Sequence, residues 1–160
     1  MNAAAVTAAA LLLSTILTTT ATGQADDVAQ PEWSLWPYKH VHISNELGSS
    51  VVMTVHCRGK RFLMKTKDLG VQYVGDGGEY TWRFRPGFFG VTKYPCHVTA
   101  VHGSQSVHVD FVSYSSRNRH SFVEHKNNVY WAVKRTGVYA RDVTKGASGD
   151  VLKYVWVHDS

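Results

Sequence analysis

Short segments in which β-branched and aromatic residues take every second position, cut by glycine-centred turns, constrain this chain more than any other feature. Val41, Ile43 and Asn45 alternate with His40, His42 and Ser44. Val51, Met53, Val55 and Cys57 alternate with Val52, Thr54 and His56. The same period runs through Tyr80, Trp82 and Phe84, then Val107, Val109 and Phe111, then Val129, Trp131 and Val133, then Val138 with Tyr139, and finally Leu152, Tyr154 and Trp156. Successive side chains leave a strand on opposite faces, so period two buries one face and wets the other. Turn signals separate the segments: Leu47-Gly48-Ser49-Ser50, Asp76-Gly77-Gly78, Arg85-Pro86-Gly87, His102-Gly103-Ser104, Thr136-Gly137 and Lys145-Gly146-Ala147-Ser148-Gly149. They recur about every 8–12 residues, the spacing of all-β domains, and no window carries an apolar stripe at helical period. The expectation is an all-β fold, an antiparallel β-sandwich of about seven to nine strands, with a small barrel as the alternative. A chain of 160 residues that is 44% hydrophobic and 12% aromatic can fill one such core, and 18% charge is too little for a disordered chain.

The N-terminus stands outside that pattern. Residues 3–17 read AAAVTAAALLLSTIL, followed by small residues through Gly23. The first Lys or Arg is Lys39, so no basic stop-transfer flank follows. The run matches a secretory signal peptide over residues 1–23, with a retained anchor or an organelle transit segment as alternatives. Residues 24–37 then form a polar leader ending in Pro31 and Pro37, and the domain occupies 38–160. Trp33 and Trp36 in that leader are expected to pack against one end of the sandwich, or else to form an exposed contact segment. The mature protein is expected to be extracellular, without a transmembrane segment, and monomeric, although the sequence leaves oligomeric state open. It has no Asn-x-Ser/Thr sequon, so N-glycosylation is not expected.

A formal charge of +5 with nine histidines points to acidic partners, whether cell wall, anionic membrane or acidic protein. Nucleic acid is not expected, because no recognition motif is present and an exported protein does not meet it. In an exported protein two cysteines pair most simply with each other, Cys57 with Cys96; two buried free thiols are the alternative. A Cys2His2 zinc site with His56 and His97 is disfavoured, since neighbours on a strand diverge to opposite faces. His40 and His42 share a face, but two ligands do not make a metal site, and they are read as exposed polar positions. His108 and Asp110 share a face as an acid–base pair would, yet no nucleophile elbow, His-Glu-x-x-His motif or phosphate loop accompanies them. The expectation is therefore no catalytic residue, no metal and no cofactor. Trp82, Trp131 and Trp156 are read as core. Partner contact is assigned to two basic segments: Arg58, Lys60 and Arg61 after Cys57, and Arg117, Arg119 and Lys126 in the connection after Tyr114.

These residues, taken in order, resemble the plant self-incompatibility S1 family, the S-protein homologues. The resemblance is carried by Val41-His42-Ile43-Ser44-Asn45-Glu46-Leu47, Val55-His56-Cys57, Asp68-Leu69-Gly70 and Gly78-Glu79-Tyr80-Thr81-Trp82-Arg83-Phe84. It continues through Phe88-Phe89-Gly90 with Thr92, Cys96, Phe111 with Tyr114, Trp131-Ala132-Val133, Gly137-Val138-Tyr139 and Tyr154 with Trp156, covering about residues 38–157. It implies a small secreted plant protein with a β-sandwich fold, acting without catalysis. Such a protein would bind a cell-surface receptor or a cell-wall component, in pollen rejection, development or defence signalling. A basic secreted defence protein acting on membranes is the alternative from another class, and a hydrolase using His108 and Asp110 a third reading. One departure stands out: the family usually carries a second cysteine pair just before the late tryptophan, and the stretch from Arg119 to Trp131 contains no cysteine.

Overall fold

The computed structural model describes residues 37–61, 65–87 and 91–158. The expected signal peptide, and Trp33 and Trp36 in the leader, lie outside the described residues. The described chain runs β1 (Lys39–Glu46), β2 (Met53–Arg61), β3 (Lys67–Val74), β4 (Glu79–Phe84), β5 (Thr92–His102) and β6 (Gln105–Ser115). After a 3-10 turn at Arg119–Ser121 come β7 (Glu124–His125), β8 (Asn128–Lys134), β9 (Gly137–Arg141), a second 3-10 segment at Val143–Gly149, β10 (Asp150–Tyr154) and β11 (Val157–His158). Nine of the strands have five residues or more, the upper end of the expected range; β7 and β11 are two-residue additions. No helix among the described residues is long and apolar enough to cross a membrane.

Two sheets face each other. The first has the order β10-β9-β8-β1-β4, with β7 also paired to β8; the second has the order β11-β6-β5-β2-β3. One pairing corrects the expectation of a wholly antiparallel sandwich. β1 and β8 run parallel, from His40 against Asn128 to Glu46 against Lys134. The chain can do this because β2 to β7 intervene, a crossover long enough for parallel strands.

The core is the period-two set. Val41, Ile43, Met53, Val55, Val107, Val129 and Val133 are fully buried. Trp131 is the largest of the fully buried side chains; its indole stands edge-on to Phe111 at 5.0 Å and donates to the Ser113 carbonyl at 2.9 Å, joining the sheets. Trp156 is also buried, and Trp82 packs half-buried against the core. Leu152 departs from its expected inward placement: it is exposed. It lies on the edge strand β10, beside a register shift between Leu152 and Tyr154, so the alternation there does not continue inward.

Asn45 is the buried polar member of the β1 set, and its amide is fully used. It donates to the carbonyls of Val51 and Val74, each at 2.8 Å, and accepts from the Leu47 N–H at 3.1 Å. One side chain thus ties the β1–β2 turn to the end of β3.

Cys57 and Cys96 form a disulfide across directly opposed positions of β2 and β5. The stretch without a second cysteine pair is held differently. Lys39, buried at the start of β1, forms an ion pair with Glu124 and donates to the Asn127 side-chain oxygen at 2.7 Å. Phe122 is buried against Tyr114 at 5.3 Å, and the hairpin closes through Lys126 and Asn127, both at positive φ.

Candidate recognition surface

The strand registers bring the two basic segments to one end of the sandwich. In the second sheet Lys60 opposes Lys93 and Arg61 opposes Thr92, while Lys93 opposes Ser115, two residues before Arg117. In the first sheet Lys39 opposes Phe84 and His125 opposes Asn128, so the Lys126 turn sits at the start of β1 and the end of β4. The sheets meet there through an aromatic cluster, with Phe84 at 4.4 Å from Tyr94 and 4.8 Å from Tyr114. Arg83 and Arg85 lie over the Tyr38 ring at 5.2 and 4.4 Å, adding cations to the same end.

Of the six residues expected to make contact, Lys60, Arg117, Arg119 and Lys126 are exposed and form no ion pair with a carboxylate among the described residues. Arg61 is half-buried and bonds the Tyr94 hydroxyl; burial raises that phenol and the arginine opposes the rise. Arg58 is exposed but sits 3.5 Å from Asp68. Lys93 belongs to this surface and was missed by reading basic residues as loop clusters. The alternation of β5, with Tyr94, Cys96 and Val98 inward, was the signal that would have placed Lys93 and His97 on the outer face.

That outer face carries the histidines. His56 opposes His97 across β2 and β5, on the side of the sheet away from the disulfide. The cysteine sulfurs are bonded to each other, so they and the histidines do not form one ligand set. No group of three or more His, Cys, Asp and Glu among the described residues is arranged to hold a metal. His56 Nε2 is 2.7 Å from Asp68 Oδ1, and His97 Nδ1 is 2.9 Å from Asp110 Oδ1. The Asp68 carboxyl is held below its ordinary range, first by the Gly70 N–H at 2.8 Å and then by His56. Asp110 engages His97 on the neighbouring strand, and the His108 ring lies 5.7 Å from that of His97. Directly opposed cross-strand positions such as His97 and Asp110 bring their side chains within reach of each other.

On the opposite face of the molecule, His40 and His42 are half-buried rather than exposed. His42 stacks on Tyr130 at 4.5 Å and lies 3.1 Å from both Glu79 Oε2 and Asn128 Oδ1. Two adjoining grooves complete the basic surface. One of about 610 Å³ is lined by His56, Arg58, Lys60, His97, Asp110 and Val112 among others. One of about 340 Å³ is lined by Lys93, Ser115, Arg117, Asn118 and Ser121, and shares Val112 and Tyr154 with the first.

Comparison with known proteins places this geometry among relatives. A family model described as plant self-incompatibility protein S1 matches residues 40–156. S-protein homolog 3 of Arabidopsis thaliana is 31% identical over 61 residues, a match that spans 38% of this chain and 37% of that protein. A solved structure of SPH (Self-Incompatibility Protein Homologue) proteins is also similar. Those are described as a widespread family of small, highly stable, secreted proteins from plants. It is 16% identical, covers 76% of this chain and 96% of the other, and has a TM-score of 0.49.

Proposed function

Because this chain belongs to the plant self-incompatibility protein S1 family, we propose that it is an exported recognition protein that acts by surface contact, without catalysis, on a cell-surface receptor or a cell-wall component. One observation carries the reading: basic residues from distant parts of the chain converge on one end of a rigid sandwich, and four of the six expected contact residues form no ion pair among the described residues. Cations left without intramolecular carboxylates keep their potential for a partner of opposite charge. Export is supported by the apolar run at residues 3–17 and by a disulfide, a bond that persists in oxidising compartments.

Two measurements test this. The protein recovered from the medium of secreting cells should have an intact mass beginning at Gln24 or Asp26, two hydrogens lighter before reduction. Retention inside the cell as a full-length dithiol would overturn the reading. Labelled protein should then bind plant cell surfaces saturably, and Arg117→Glu with Arg119→Glu should weaken binding about tenfold or more at constant fold. If binding instead follows anionic vesicles, declines smoothly with salt and ignores which cation is removed, the protein acts on membranes.

A further inference from the structure

The outer faces of the two sheets differ in how their charges are used. On the first, Glu46, Lys134, Arg141 and Asp150 neutralise one another in a connected network. On the second, Arg58, Lys60, Lys93 and Arg117 line two grooves that run into each other at Val112 and Tyr154, and one carboxylate, Asp110, lines them with those cations. That carboxylate is paired with His97, and Asp68 is paired with His56.

Resting on the reading of this protein as an extracellular contact molecule, we propose that the joined grooves on the outer face of the second sheet bind a linear carboxylate-bearing polysaccharide, a polyuronate, and that protonation of His56 and His97 strengthens the binding. Charge complementarity selects an anion. The extent selects a long one, because the two grooves share Val112 and Tyr154 and only an occupant spanning both would meet all four cations. Neighbouring strands lie about 4.8 Å apart and alternate residues about 6.7 Å, so the cations repeat on the scale of a polymer with one carboxylate per sugar. A protein partner is less favoured, since protein hot spots centre on aromatic anchors in closed pockets, and the charged groups lining these grooves are four cations against one carboxylate.

The pH dependence follows from the groups that face the imidazoles. His56 on β2 faces Asp68 from β3 and His97 from β5, with Arg58 beside Asp68. His97 faces Asp110 and His108 from β6. While the imidazoles are neutral, the two carboxylates repel an anionic chain. A proton on each imidazole cancels that repulsion at the place where the chain lies. The carboxylates of the polymer stay ionised until about pH 4, which leaves a window in mild acid where binding is strongest.

The experiment is calorimetric titration of the disulfide-bonded protein with an oligogalacturonate of defined length, using its fully methyl-esterified form as the uncharged control. Affinity for the acid form should rise about tenfold between about pH 7.5 and about pH 5, and the ester should not bind. Lys60→Gln with Lys93→Gln should weaken binding at every pH. His56→Gln with His97→Gln should abolish the rise between about pH 7.5 and about pH 5. Lys145→Gln, on the remote 3-10 segment, should change nothing. Equal binding of acid and ester, a flat pH profile, or an equal loss in the Lys145 variant would each overturn the proposal. If a substituted protein misfolds, the pH profile and ester control of the unaltered protein still decide. Saturable binding to cells that survives enzymatic removal of polyuronate, without oligogalacturonate binding, would indicate a protein receptor. That outcome overturns this inference and leaves the contact function standing, whereas loss of all binding overturns both.

Discussion

Asp150 shows how much one side chain on a sheet face can carry. Its two oxygens take both Arg141 Nε and Nη2 at 2.7 Å, and Lys134 closes on it at 2.7 Å. The fork of Arg141 is the chief reason its pKa falls from 3.8 to about 2, and the same arginine holds Glu46 below its usual range. A depressed folded-state value contributes stability that is complete above the unfolded carboxyl's 3.8 and lost as pH falls through about 2. Asp150→Asn should therefore cost about 2 kcal/mol at pH 7, and the gap to the unaltered protein should narrow as pH falls from about 4 to about 2. Denaturant titrations at several pH values check this; a constant gap across that range would show that the carboxyl is not engaged. Nothing in the sequence pointed to the network. Its members come from β1, β8, β9 and β10, and only the pairing of those strands brings them together.

At the scale of elements, the stretch from Arg119 to Trp131 is the informative one. It lacks the cysteine pair usual in the family, and the structure holds it with Phe122 and the Lys39–Glu124 pair. Lys39→Met removes one buried partner and strands the other, which costs about 3 kcal/mol. Hydrogen exchange should then quicken at residues 119–127 while β2 and β5 stay protected; uniform loss of protection would argue against a local role for Lys39. The single disulfide acts on the unfolded chain. Its 39-residue separation gives about 4 kcal/mol in the chain-entropy model. Replacing both cysteines by alanine should lower the unfolding free energy by about that amount with the sheet registers unchanged, read from denaturant midpoints and amide exchange. Strand legibility varied for physical reasons. β1, β2 and β6 announced themselves because each buries one face. β3 did not, because it is an edge strand with Val71 and Tyr73 exposed, so its polarity does not alternate.

For the molecule as a whole, charge is sorted by face and end rather than spread evenly. Exposed charges are screened over about a Debye length, so association with an anionic partner should slow steeply as ionic strength rises. Lys60→Glu with Arg117→Glu should reduce both the association rate and its salt dependence while leaving dissociation less affected, as stopped-flow or surface-binding kinetics would report. A salt-insensitive rate would place recognition away from the basic end. The sequence by itself determined the all-β class, the inward set centred on Val41, Val55, Phe111 and Trp131, the cysteine pair and the basic character. Each of these depends on residue type and on the period of neighbours along one strand. Tertiary structure decided the parallel pairing of β1 with β8, the engagement of Asp110 by His97, and the convergence of Lys60, Lys93 and Arg117. Those depend on which strands lie side by side and in what register, and that choice is made by the packing of two whole sheets, not by any local run of residues.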